Sequence, residues 1–173
     1  EYLKKCIEEF YGQDQLKSES YGKIINARHF ARLCKTLERT DEKAILYGAQ
    51  LDEEKLKISP TLISAVEDDP VMEDEIFGPL LPIIEVENLD EAINFVNRRA
   101  KPLALYFFGS NTNQQHQVLA RTSSGGVCLN DTILQLNVKD LPFGGVGKSG
   151  MGHYHGFYSF ENFSHKKSVL RRY

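Results

Sequence analysis

LLPIIEVENLDEAINFVNRRAKPLALYFFGSNTNQQHQVLARTSSGGVCL, residues 80–129, switches repeatedly between short apolar runs and helical spacing. Leu80 to Val86 is apolar and rich in branched residues, which suits a buried strand. Asn88 and Glu91 then stand as N-cap and N3 ahead of Leu89, Ala92, Ile93 and Val96, an amphipathic helix with its start marked. Leu103 to Phe108 reads as a second apolar strand, Asn111 caps a helix running to about Arg121, and Gly126 to Leu129 reads as a third strand. The order is β, α, β, α, β. Strands joined by single helices need crossover connections, so an α/β fold with a mainly parallel sheet and crossover helices is predicted. Ligand groups are then expected in loops at the strand ends.

Toward the N-terminus, Leu3, Cys6, Ile7 and Phe10 recur at spacings of three and four, and Gly12 follows where a helix end favours it. Phe30, Leu33, Cys34 and Leu37 repeat that spacing behind a candidate N-cap at Asn26. Both early cysteines are therefore expected to face a core. Ala44 to Tyr47 and Leu56 to Ile63 read as short strands, the second interrupted by Pro60, which suits an edge or a strand end. At 173 residues, 41% of them apolar, the chain is long enough to bury a core, and no linker, repeat or low-complexity tract divides it. Residues 1–173 are read as one domain or part of one. The sequence opens at Glu1 already in helical pattern, so a piece of a longer polypeptide is expected.

Acidic and basic residues, 24 and 21 of them, are mixed along the chain and leave a net charge of −3. That offers no basic field to a phosphate backbone and argues against nucleic acid as a partner. No apolar run approaches the roughly 18 to 20 residues that span a bilayer, and EYLKKCIEEF lacks the apolar centre of a signal peptide. Cys6, Cys34 and Cys128 are few, odd in number and far apart, which suggests neither a disulfide framework nor a C-x-x-C metal site. A reducing, cytoplasmic compartment is expected.

Among candidate motifs, Gly145-Val-Gly147-Lys-Ser-Gly150 satisfies G-x-G-x-x-G in form but not in context, because LPFG rather than a buried strand precedes it. It is not a P-loop, since the first glycine would fall on Pro142, nor a nucleophile elbow, since Met151 replaces the closing glycine. A shaped loop is the minimal reading. Cys128 lies between Val127 and Leu129 with no histidine nearby in sequence, which favours structural burial over nucleophilic work. His153 and His155 alternate but lack further ligands, so no metal is assigned. In Glu73-Asp-Glu75-Ile-Phe77-Gly-Pro79 an acidic run breaks into Ile, Phe, Gly and Pro just before a buried strand. Residues two apart project together in an extended segment, so Glu75 and Phe77 can address one ligand while Ile76 packs the other way. A carboxylate can accept from both hydroxyls of a ribose diol, and a phenyl ring can pack on an aromatic base. Physics alone leaves the commoner alternative, a solvated turn, standing.

Four ordered blocks, EDEIFGPLLPI, KPLALYFF, SSGGVCLND and LPFGGVGKSGMGHYHGFYSFENFSHKKSV, together resemble the aldehyde dehydrogenase superfamily, essentially from end to end. The EIFGP and PFGG-x-G-x-SG blocks mark the superfamily; KPLALY, the SSGG strand and the YHG-x-x-SF-x-x-FSH tail resemble its class 3 branch. The resemblance implies that Glu75 holds the hydroxyls of the nicotinamide ribose of NAD or NADP and that Phe77 packs beside the nicotinamide. It implies that Phe143 lines the aldehyde pocket, with Ile133, Leu136, Asn137 and His155 as further wall candidates. The small polar Asn137 changes the polarity of that wall and leaves the preferred aldehyde length open.

In such enzymes a cysteine thiolate attacks the aldehyde, hydride passes to the cofactor, and water activated by a glutamate hydrolyses the thioester. Neither catalytic residue is matched here. The order of family motifs puts both, with the oxyanion asparagine and the dinucleotide-binding fold, upstream of Glu1. The chain is thus expected to be the C-terminal part of the catalytic domain plus the oligomerisation segment, inactive alone and dimeric in its parent. The competing expectation is a non-catalytic dimerisation or scaffold module. Some relatives carry a C-terminal membrane anchor, so an anchored parent stays open beside the cytoplasmic reading.

Overall fold

Helical spacing becomes helix as expected in the computed structural model, which describes residues 1–173: α1 spans Tyr2–Tyr11 and α2 spans Ala27–Glu38. Gly12 ends α1 at φ +82°. The Asn26 side chain accepts the His29 N–H at 3.0 Å and so satisfies one of the orphan donors of α2. Strands β1 (Ile45–Tyr47), β2 (Leu51–Asp52), β3 (Lys57–Ile58), β4 (Thr61–Ser64) and β5 (Leu80–Ile83) complete the first of two compact units, Glu1–Glu85. In it β4 pairs antiparallel with β1 and parallel with β5, Thr61 opposite Leu80, while β2 and β3 form a separate antiparallel pair. Pro60 falls between β3 and β4, the strand end its missing N–H calls for.

The core of this unit is one face of α2 laid on the sheet. Phe30, Leu33 and Leu37 pack with Ile58, Ile63, Ala65, Val71 and Leu80, and Leu33, Ile58 and Ile63 are essentially closed to solvent. Each such side chain contributes about 1.5–3 kcal/mol of burial. Cys34 is half-buried beside this face. Cys6, by contrast, is exposed, and α1 buries none of its residues, which corrects the expectation that both cysteines face a core. Spacing fixes which side of a helix is apolar, not whether another element covers that side. What ties α1 down is peripheral: Tyr11 meets the edge of Tyr21 at 4.9 Å, and Lys4 Nζ lies 5.5 Å from the Tyr47 ring centre.

The second unit, Val86–Tyr173, contains α3 (Leu89–Arg98), β6 (Ala104–Phe107), α4 (Thr112–Arg121), β7 (Gly126–Leu129) and α5 (Gly156–Asn162). Asn88 caps α3 by accepting the Glu91 N–H at 3.0 Å, while Glu91 reaches back to the Glu87 N–H, one residue outside the reciprocal bond of a capping box. Asn111 accepts from both Asn113 and Gln114. Helices α3 and α4 are joined by the Asp90–Arg121 ion pair and by Asn97, which donates to the Arg121 carbonyl at 2.8 Å. Strands β6 and β7 pair in parallel across α4, the crossover that the sequence predicts.

An α/β fold with parallel segments and crossover packing is therefore present, but not as one sheet through all three predicted strands: β5 joins β4, and β6 joins β7. Periodicity specifies the element type and leaves the pairing partner open. No helix is long and apolar enough to cross a membrane.

Because Leu33 is fully enclosed, Leu33→Ala is expected to cost about 2–5 kcal/mol. The check is a fall in the urea midpoint, with Cys34→Ala, at a half-buried position, costing much less.

Candidate functional site

The loop 73–79 is pinned to α2 from beneath. Its approach is a 3₁₀ turn, Pro70–Met72, whose Val71 is buried in the core. Next, the Arg39 fork donates to Glu73 through two parallel bonds, Nη1 to Oε2 at 2.8 Å and Nη2 to Oε1 at 2.5 Å. Arg32 Nη2 then donates to the Ile76 carbonyl at 2.6 Å. Finally the Leu33 methyls press on Gly78 so closely that a Cβ there would sit 2.6 Å from both. A side chain at 78 would force the enclosed Leu33 to shift.

Ile76 packs against the core and Glu75 and Phe77 are exposed, Phe77 with 78% of its surface open, but the extended alternation predicted for them is not what places them: Asp74 and Gly78 are exposed too. Phe77 also has φ +44°, a left-handed conformation that costs a residue with a Cβ about 1–2 kcal/mol. The two side chains border a cleft of about 510 Å³, whose other wall is the cationic face of α2, with Arg32, Lys35 and Arg39. An exposed carboxylate beside an exposed ring suits a ligand that presents hydroxyls next to a flat heterocycle. The hydrogen bonds from Arg39 hold the Glu73 carboxyl below its ordinary range, and Glu73 in turn raises Arg39.

In the second unit the glycine-rich segment is closed into a loop by Phe143 and Tyr154, which exchange backbone bonds of 2.9 Å each way. The loop is tight: a Cβ on Gly145 would lie 2.0 Å from the Ser149 carbonyl oxygen. This is the shaped loop that the glycine spacing predicts. The Phe143 and His155 rings stack at 5.8 Å with 24° between their planes, and Tyr154 meets each of them edge-on. Of the expected wall residues, Phe143 and His155 are thus brought together. Leu136 and Asn137 share the 3₁₀ turn Leu134–Asn137, and Ile133 leads into it at φ +66°. Leu136 is half-buried; Ile133 and Asn137 are exposed. Two buried polar atoms lack hydrogen-bond partners, His155 Nδ1 and Gln135 Oε1. His153 turns to Tyr158 instead, its ring edge-on at 5.1 Å, so the alternating histidines serve different neighbours.

Cys128 lies half-buried in β7. Burial pushes the Cys34 thiol up, with Glu38 and Glu53 adding to the effect, the opposite of what a thiolate nucleophile needs. No group of three or more His, Cys, Asp or Glu side chains is arranged to hold a metal. Sequence reasoning missed Arg32, Arg39, Gln135 and Tyr154. The first two carried a usable signal: seven residues apart, they fall on one face of α2.

The fold and these loops are those of a known enzyme class, and the chain belongs to the aldehyde dehydrogenase family, whose sequence model matches residues 1–169. Among its relatives, a mouse (Mus musculus) protein named aldehyde dehydrogenase, dimeric NADP-preferring, is 50% identical over 173 residues, which are 99% of this chain and 38% of that protein. A bovine (Bos taurus) aldehyde dehydrogenase family 3 member B1 is 50% identical over 98% of this chain and 36% of its own length, in agreement with the class 3 resemblance. A solved structure described as the substrate-bound state of Staphylococcus aureus AldH superposes with a TM-score of 0.90 at 44% identity, over 98% of this chain and 38% of that one. The chain thus spans little more than a third of each of these three proteins.

A depressed carboxylate stabilises the fold above its ordinary pKa, and that contribution is lost as pH falls through the lowered value. The Glu73 side-chain carboxyl should therefore titrate by NMR below the ordinary glutamate range and return toward it in Arg39→Gln.

Proposed function

We propose that this chain is the C-terminal part of the catalytic domain of an NAD- or NADP-dependent aldehyde dehydrogenase that oxidises medium-chain, long-chain or aromatic aldehydes to carboxylic acids. The observation that carries the reading is the exposed pair Glu75 and Phe77, set side by side on a loop that α2 clamps from below. Family membership gives the pair its meaning. Glu75 accepts the hydroxyls of the nicotinamide ribose, each charged bond worth about 1.5–3 kcal/mol, and Phe77 packs beside the nicotinamide ring. The bound cofactor supplies the hydride acceptor. Phe143, stacked on His155, with Ile133, Leu136 and Asn137, shapes the aldehyde pocket.

The rest of the reading follows from what these residues do not supply. This chain offers a grip on cofactor and substrate but no activated thiolate, so on its own it has nothing to form a bond to the aldehyde. The parent acts as a homodimer, in keeping with the mouse relative's name and with the exposed Phe157, Phe160 and Phe163 of the C-terminal segment. Three free cysteines suit a reducing compartment such as the cytoplasm. A scaffold module would have no use for an outward-facing carboxylate and ring on a strained loop.

Two measurements decide this. Glu75→Gln in the complete enzyme should weaken binding of the reduced cofactor by about tenfold or more while the melting temperature holds; unchanged binding would remove Glu75 from the site. The purified 173-residue chain should show no aldehyde oxidation, and turnover by it would contradict the assignment.

A further inference from the structure

Arg39 is the C-cap of α2, and Glu73 leaves the 3₁₀ turn two residues ahead of Glu75. Their paired bonds close a loop between positions 34 residues apart. Upstream the segment is anchored by buried Val71, downstream by the Ile76 carbonyl on Arg32. Glu73, Asp74 and Glu75 between these anchors are all exposed. The Arg39 fork is what holds that exposed stretch. Phe77 makes the restraint necessary, because a non-glycine residue at φ +44° persists only where the surroundings over-determine it. Exposed ion pairs usually contribute little, but the planar bidentate geometry here is the exception. Lysine at 39 could not reproduce the fork.

We propose that the Arg39–Glu73 pair is a latch that positions Glu75 for the nicotinamide ribose, so that loss of either charge loosens cofactor binding by releasing Glu75. Both are assigned as positioning residues: they line the same cleft as Glu75 and act on it through the loop they hold. The inference rests on the reading of Glu75 as the ribose ligand.

The test is made in the complete enzyme, titrating NADH and NADPH by fluorescence and measuring single-turnover hydride transfer at saturating cofactor. At low salt, Arg39→Glu and Glu73→Arg should each raise the dissociation constant about three- to fivefold, the size expected of a well-formed exposed pair. Single-turnover rates at saturating cofactor should fall no further than in Glu75→Gln, and the swap R39E/E73R should restore binding. About 0.5 M salt should narrow the ratio between the native and single-variant dissociation constants. If Glu75→Gln weakens binding but neither charge variant does, the latch is wrong and the Glu75 reading stands. If Glu75→Gln has no effect, the latch falls with that reading. Weakening by Arg39→Glu together with tightening by Glu73→Arg would overturn the latch in favour of direct contact between Arg39 and the anionic cofactor, as would a swap that fails to restore binding. Should the reversals not fold, Arg39→Gln and Glu73→Gln give the same comparison without repulsion.

Discussion

The burial of Leu33 is the contact on which the rest of the first unit turns. Its side chain is closed to solvent, packs with the strand and loop residues of the core, and carries the methyls that fill the space a Cβ on Gly78 would need. One residue earlier Arg32 holds the Ile76 carbonyl, and six residues later Arg39 holds Glu73. A single helix therefore performs two tasks with adjacent positions. Its apolar stripe secures the sheet, and the rim of that stripe secures a loop. Interiors packed at crystal density shift little, so a loop tied to them inherits their rigidity.

Backbone strain is distributed in keeping with that arrangement. Positive φ at a residue with a Cβ is uncommon, and Phe77, Ile133 and His155 all have it. All three belong to the residues assigned to cofactor or substrate. Strain of this kind costs on the order of 1–3 kcal/mol per residue and survives where neighbours outvote it. For Phe77 those neighbours are the α2 contacts. For His155 they are the stack on Phe143 and the bond from its own N–H to Ser159 Oγ at 2.9 Å. Ala49, Leu56 and Asn130 are strained too, so the pattern supports the assignment without standing in for it.

Much of this was legible in the sequence. Asn26, Asn88 and Asn111 announced the starts of α2, α3 and α4, because a short polar side chain before an apolar-periodic run is a local signal that needs no tertiary context. The inward packing of Ile76 between Glu75 and Phe77 was legible from its apolar side chain, but the left-handed turn at Phe77 was not. What escaped was non-local. That β5 would join β4, and β6 join β7, depends on faces and crossovers that periodicity does not encode. The exposure of Cys6 depends on the absence of a cover over α1, and the Arg39 fork on a bond between residues 34 apart. The roles proposed for Glu75 and Phe77 rest on family resemblance; an acidic turn alone carries no such message.

The position of Arg39 explains why an exposed pair can hold a loop at all. As the C-cap of α2 it sits where the helix carbonyls point outward, and a cation there is favoured by the helix dipole. Its backbone N–H is turned to the Lys35 and Leu37 carbonyls, so its own main chain is fixed before the side chain reaches out. The usual weakness of a surface ion pair is the entropy of ordering two long side chains. Here one end of the pair starts from a fixed helix terminus, and the guanidinium plane admits few geometries that keep both bonds. Holding Glu73 in turn restrains the exposed turn that carries Glu75. Restraint of the proposed ligand carboxylate therefore follows from how α2 ends as much as from what it buries.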